Sequence, residues 1–330
     1  MAFSEKEGPS GGRIEKFPCP LCGSNAGTIK HTYKSPPDVF GTFTVRQCDV
    51  CRHMFTHPLP SKALLESIYD SDAHLSFQST KEHLEARREE DNSRWDLILR
   101  HIRAGTVVDL GCGTGTFLAL APNHGLKGFG IEPYPKLAEF ARNEMEVEVY
   151  ASLEELEDIV NSVDVIALWD VLEHLENPRE ILKQVKDRLR PGGLLVIGVP
   201  NAASLGARLF GGHWVGWCVP IHMHHFTIDI LRRLLNEHGF HILEERFIQY
   251  PFITIESFEM LMGKDMSALG AFNAVPTRLS SFLRSMIGRS PRWVDKCSEA
   301  CARLLLRLTK NEKKRHKRSY LTIVADKVSH

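Results

Sequence analysis

The sequence predicts an α/β fold: a doubly wound, mostly parallel, seven-stranded sheet, with a small cysteine-rich module ahead of it and a helical insert before its last strand. Three observations lead there. From residue 107 onward, short and almost continuously apolar runs alternate with segments of helical periodicity, the pattern of a parallel sheet covered on both faces. The first of those runs ends in Gly111-Cys112-Gly113-Thr114-Gly115, where bare main chain can bend sharply and lie against a ligand. Two Cys-x-x-Cys pairs, with several Pro and Gly, set residues 17–65 apart from the rest.

Taken in chain order, residues 1–16 are polar and read as a disordered tail. Residues 17–65 form the cysteine module, with short β-like runs such as 42–46. Residues 66–104 read as a helical linker, in which Leu84, Trp95, Ile98, Leu99 and Ile102 gather on one face of a charged helix over 81–103. Strands are expected at 106–110, 127–132, 147–150, 163–169 and 194–199, with helices at 116–123, 134–144, 152–160 and 177–189 between them. A helix over 228–237, closed by Gly239, leads into a strand near 241–249. A final strand at 320–326 completes a domain made of 105–250 and 319–330, and 251–318 reads as a helical, partly basic insert.

Composition narrows the class. Hydrophobic residues make up 43% and charged residues 25%, ordinary for a globular protein. Lys+Arg and Asp+Glu both total 41, so the chain carries no global field to draw in nucleic acid. The N-terminus lacks the apolar core of a signal peptide and no run of about 18 apolar residues exists, which speaks against secretion and membrane spanning. The cytoplasm is the expected compartment. There, paired cysteines favour metal over disulfides.

The glycine turn is spaced G-x-G-x-G rather than the G-x-G-x-x-G of dinucleotide folds, and Asp109 precedes it. Negative charge beside the loop suits a cationic ligand better than a pyrophosphate. The next strand ends at Glu132, where a carboxylate can accept both hydroxyls of a ribose. A tight strand–helix turn with no ligand is the plain alternative.

With these residues in register, the segment resembles the first motif of class I methyltransferases dependent on S-adenosylmethionine (SAM). Later segments keep that family's order. Ser152-Leu153-Glu154-Glu155-Leu156 resembles the stretch near the adenine, Asp170-Val171-Leu172-Glu173-His174-Leu175 the signature after the fourth strand, and Leu189-Arg190-Pro191-Gly192-Gly193 the turn into the fifth. The resemblance implies a Rossmann-like methyltransferase fold and SAM held by Asp109, Gly111, Gly113, Gly115, Glu132, Ser152, Leu153 and Asp170. It puts Asp170 near the methionine end and Glu173-His174 at the pocket floor.

Methyl transfer needs alignment above all, with a base as an addition. A histidine cluster after the fifth strand, Pro220-Ile221-His222-Met223-His224-His225-Phe226-Thr227, resembles the P-x-H-x-x-H-F-[ST] pattern of a subgroup of the superfamily, with His224 where an aromatic is more usual. His222 and His225 are therefore the candidate catalytic or acceptor-binding residues, histidine being suited to proton transfer near neutrality. Backbone bonding in a loop, or packing on Trp214, is the bland alternative. A metal held by His222, His224 and His225 lacks a nearby carboxylate to complete it. Thr227 is expected to cap the following helix, and His174 to bond locally at the pocket edge.

Cys19-Pro20-Leu21-Cys22 and Cys48-Asp49-Val50-Cys51 are two knuckles able to complete a tetrahedral zinc site of Cys19, Cys22, Cys48 and Cys51. A redox dithiol would not need two matched pairs. Metal binding would supply much of this module's folding energy. A four-cysteine ribbon ahead of a class I domain resembles bacterial saccharide and natural-product methyltransferases, which implies a saccharide or related small-molecule acceptor, lipid-linked ones included, methylated on oxygen or carbon. In the insert, apolar stripes over 279–287 and 294–308 are followed by seven basic residues and one acid between Arg307 and Arg318. Core packing or a solvated loop explains these; a peripheral contact of 277–318 with the inner membrane surface is the functional alternative. Two other functions stay open: an RNA methyltransferase gripping with ribbon and basic tail, disfavoured by the neutral charge and the lack of an N-P-P-Y-type motif, and a non-catalytic SAM-binding or zinc scaffold.

Overall fold

The computed structural model describes residues 17–34, 41–156, 162–250 and 317–328, with isolated residues between 253 and 307. The expectations for the tail at 1–16 and for nearly all of the insert at 251–318, its basic segment and membrane contact included, lie outside the described residues.

The cysteine module is an antiparallel sheet of β1 (Gly27–Lys34), β2 (Thr42–Cys48) and β3 (Met54–His57). Three helices follow: α1 (Lys62–Tyr69), α2 (Asp72–Gln78) and α3 (Lys81–Ile98). Each begins where a hydroxyl accepts an orphaned N–H of the first turn: Ser61 from Leu64, Ser71 from His74 and Thr80 from His83. The segment expected as a linker is thus three capped helices, and the last packs Trp95 and Ile98, both fully buried, against the sheet.

The main sheet begins with β4 (Gly105–Leu110), then α4 (Thr116–Ala119), β5 (Leu126–Ile131), α5 (Pro135–Glu144), β6 (Val149–Tyr150) and β7 (Val163–Trp169). It continues through α6 (Pro178–Arg188), β8 (Leu189–Pro200), α7 (Leu205–Phe210), β9 (His224–His225), α8 (Ile228–Glu237), β10 (Phe240–Ile248) and β11 (Tyr320–Lys327). Strand order is β10-β11-β8-β7-β4-β5-β6, seven strands as expected, with only β11 antiparallel to its neighbours. The order in which strands are added reverses between β4 and β7, the switch point at which open α/β sheets bind ligands beyond their carboxyl ends. Period-two alternation splits the core: Val108, Ile166 and Ile197 face one layer, while Val107, Val165 and Val196 face the other with Trp95 and Phe117.

Two expected helices differ. The one at 116–123 stops at Ala119 and continues as a 3-10 turn over Ala121–His124, since Pro122 cannot donate to an α-helical ladder. The one at 152–160 is a pair of turns as far as residue 156: the buried Leu153 and Leu156 are bridged by a single backbone bond, and Glu155 turns back to accept the Ala151 N–H.

The cysteine module does not close on itself. β9, from the histidine cluster, is its fourth strand, pairing Met54 with His225 and Phe55 with His224. Cys19, Cys48, Cys51 and Phe55 share one buried cluster with Phe226, Ile230 and the sheet.

Candidate active site

At the carboxyl end of β4 the chain must turn within a few residues, and three glycines at positive φ do it. Gly111 has φ +71°, and a Cβ there would lie 2.7 Å from Val171 Cγ2; Gly115 has φ +80° and caps α4. The turn is pinned from β5: Glu132 accepts the Gly113 N–H at 2.9 Å through one oxygen and the Tyr134 N–H at 3.0 Å through the other. Each oxygen keeps a further lone pair for a ligand. Burial raises the Glu132 carboxyl to about 7, against the pull of those two N–H bonds.

Above this turn lies a cavity of about 1140 Å³, whose walls include Gly111, Gly113, Glu132, Ser152, Leu153 and Asp170. Six of the eight expected cofactor residues therefore meet on one surface. Asp109 and Gly115 are not on it. Asp109 sits beneath, 4% exposed, with one carboxylate oxygen lacking a hydrogen-bond partner among the described residues, and its burial pushes the carboxyl well above the usual range. Glu132 faces the cavity, and Asp109 underlies the turn.

Sequence reasoning missed the cations. Asp170, at φ +57°, meets Arg94 at 3.0 Å and Arg87 at 3.4 Å, and Arg94 also holds Asp91 at 3.0 Å. Asp91, fully buried, accepts the Thr116 hydroxyl at the start of α4. In a charged helix these residues resemble a solvated face, yet 87, 91, 94 and 98 recur at three and four, one stripe pointing inward. Tyr69 of α1 is a second omission: its hydroxyl lies 2.8 Å from His174 Nδ1, and its ring stacks on Tyr134 at 4.8 Å.

The histidines divide. His222 lines the cavity, its ring 4.5 Å from that of His174, and its Nδ1 is bonded to the Gly216 carbonyl at 3.0 Å. Burial brings His174 down to about 4 and holds His222 well below its ordinary value, so both are neutral imidazoles at pH 7. His174, expected at the pocket edge, is a cavity residue beside His222. His225 is not a lining residue. It is 3% exposed, bonds Thr56 Oγ1 at 3.0 Å and packs on Trp217, so its position is that of a joint between β9 and the cysteine module. His224 bonds His53 at 2.9 Å. The three histidines do not converge on one point.

The four cysteines do. All four Sγ atoms lie within 4.8 Å of one another, with Cys19–Cys51 at 3.5 Å and Cys22–Cys48 at 3.6 Å. Those separations exceed a disulfide and match the edge of a tetrahedron with zinc–sulfur bonds near 2.3 Å, about 3.8 Å. Despite burial, backbone N–H groups of Cys51 and Val50 lower the Cys48 thiol to about 7, favouring thiolate. Arg233 and Arg179 donate to the carbonyls of Cys51 and Leu21, tying both knuckles to α8 and α6.

The sheet and the glycine turn backed by Glu132 define a nucleoside-binding domain with the Rossmann-like methyltransferase fold. Comparison with known proteins narrows this: residues 87–245 match the family model described as Methyltransferase domain, and this stretch is a class I SAM-dependent methyltransferase domain. Relatives include the ubiquinone biosynthesis O-methyltransferases of Xanthomonas campestris pv. campestris and Xanthomonas oryzae pv. oryzae, each 27% identical over 129 residues, or 36% of this chain and 54% of theirs. The chain spans about half the length of these curated relatives. Among solved structures, the cyclopropane synthase MmaA2 from Mycobacterium tuberculosis is similar in fold, with a TM-score of 0.50 and 16% identity over 82% of this chain and 100% of that one. Among the described residues, no helix is long and apolar enough to cross a membrane.

Proposed function

We propose that the protein transfers the methyl group of SAM to a small-molecule acceptor bound in the same cavity, with a zinc-bound four-cysteine ribbon that buttresses the histidine loop through its pairing with β9. The observation that carries this reading is that His174 and His222, both neutral, face the same cavity as Gly111, Gly113 and Glu132. A cavity of about 1140 Å³ exceeds the range of about 300–1,000 Å³ typical for one ligand, which leaves room for cofactor and acceptor together. SAM would lie over the glycine turn, with its ribose on Glu132, its adenine toward Ser152 and Leu153, and its methionine end toward Asp170. In-line displacement at the methyl carbon returns the breaking bond's electron pair to sulfur, so the protein's work is alignment.

The acceptor we favour is a saccharide or related small molecule with an apolar portion, including a lipid-linked one. Leu65, Phe77, Leu175, Ile181, Val215 and Ile221 supply an apolar wall, which suits such a portion better than a polar nucleic-acid backbone. The ubiquinone relatives are named for O-methylation, which favours oxygen over carbon as the methylated atom. Incubation with methyl-labelled SAM and a panel of sugar nucleotides, lipid-linked sugars and phenols tests this, read by mass spectrometry. A product gaining one methyl group supports it; hydrolysis-level turnover with every acceptor, by protein shown to bind SAM, counts against it.

A further inference from the structure

The acceptor end of the cavity holds a side-chain cluster that methyl alignment leaves unused. Glu173, on the 3-10 turn Leu172–His174, is 1% exposed, and neither of its carboxylate oxygens has a hydrogen-bond partner among the described residues. A buried carboxylate with no partner is costly and calls for a cation or a proton. One ligand-capable atom from each of Glu173, His174 and His222 lies within 4.8 Å of the other two. Both imidazoles are prepared in the same way. His222 Nδ1 sits 3.0 Å from the Gly216 carbonyl, and His174 Nδ1 sits 3.1 Å from the Ile221 carbonyl. A carbonyl can only accept, so His222 Nδ1 carries the proton; His174 Nδ1, which also meets the Tyr69 hydroxyl at 2.8 Å, donates to its carbonyl in the tautomer the site requires. In a neutral ring this leaves the Nε2 lone pair free. That carbonyl-anchored tautomer is how metal-ligating histidines are oriented.

We propose that Glu173, His174 Nε2 and His222 Nε2 bind a divalent first-row transition-metal ion whose open positions face the cavity and take the acceptor's oxygen. Two imidazoles and one carboxylate suit such an ion better than magnesium or calcium, which prefer all-oxygen shells. Three protein ligands with a vacancy are the arrangement of a catalytic rather than a structural centre. A tetrahedral site with bonds of about 2.0–2.1 Å has edges of about 3.4 Å, so the ligands close by at most about 1.4 Å, within reach of side-chain rotation. The four-cysteine cluster is chemically distinct: thiolates hold its ion, with no open position. The ion lowers the pKa of the acceptor hydroxyl, whose proton leaves to solvent. The resulting oxyanion attacks the methyl carbon as the carbon–sulfur bond breaks toward sulfur. This deepens the methyltransferase reading and rests on it for the acceptor's role, naming the acceptor as an oxygen nucleophile able to ligate a metal.

Cobalt(II) is the probe, added to full-length protein already carrying one zinc per chain. The proposal expects a second metal equivalent, with d–d absorption and no thiolate charge-transfer band, and at least 100-fold weaker second-site binding in Glu173→Gln and in His222→Asn, while ribbon zinc stays bound in both. Glu173→Gln is isosteric and removes an unpaired buried charge, so it carries the test if His222→Asn does not fold. Anomalous diffraction from cobalt-soaked wild-type crystals gives a readout without any variant, with the peak expected between these three side chains. Uptake that stops at one equivalent, a second equivalent undiminished in the variants, or a peak elsewhere overturns the proposal. None of these readouts needs SAM, so failure of SAM binding would remove the methyl-transfer reading while leaving the metal result standing.

Discussion

Glu132 ties the cofactor pocket to pH in a way that can be worked through. Its carboxyl is 5% exposed and raised to about 7, burial outweighing the bonds from Gly113 and Tyr134. Ribose hydroxyls donate to the ionised form, so binding SAM favours loss of the proton. Affinity should rise as pH climbs through 7. At pH 6 about one carboxyl in eleven is ionised and at pH 8 about ten in eleven, which makes the apparent Kd about tenfold weaker at pH 6. The raised pKa has the opposite sign for ligand-free stability: the contribution is full below about 4.5 and is lost as pH rises through about 7, on the order of 3 kcal/mol in all. Glu132→Gln removes the titration and turns one of the two acceptor oxygens into an NH2 donor, leaving one backbone N–H unpaired at about 1–3 kcal/mol. Isothermal titration with S-adenosylhomocysteine from pH 6 to 8 should therefore give a tenfold trend in wild type and flat, at least tenfold weaker binding in the variant. A flat wild-type profile, or an unchanged trend in Glu132→Gln, would refute the reasoning.

Three further outcomes follow from the same geometry. Gly111→Ala places a Cβ 2.7 Å from Val171 Cγ2 at φ +71°, and urea denaturation should show a loss of about 1–3 kcal/mol; a change under about 0.5 kcal/mol would contradict it. Arg94→Met strips the counter-charge from Asp91 and Asp170 and should cost about 3–5 kcal/mol, whereas Arg232→Met, at the exposed pair with Glu245, should cost under about 1 kcal/mol; equal losses would argue against a buried network. Cys22→Ser should abolish stoichiometric zinc by elemental analysis and lower the melting temperature, because the ribbon's sheet is completed by His224 and His225; unchanged zinc content would remove the four-thiolate assignment.

The sheet was legible because its strands are apolar on both faces and end at turn residues, so periodicity and punctuation agree: β7 falls on 163–169 as expected. Glu132 could be placed by counting along a strand. What escaped was tertiary. Arg94 and Asp91 neutralise each other in the interior, and in sequence two opposite charges three apart look the same buried or exposed. His222 and His225 occupy one motif, but the pairing of β9 with β3 turns His225 into the ribbon while His222 stays on the cavity wall. The partner that makes His222 interesting, His174, lies 48 residues away and meets it only through the fold.

The measurement closest to the central claim is calorimetric titration of S-adenosylhomocysteine into zinc-loaded, monodisperse protein at pH 8, where Glu132 is ionised. One site per chain, with binding lost or weakened at least tenfold in Glu132→Gln, is the predicted result. No heat at any temperature, from protein that unfolds cooperatively, would contradict it.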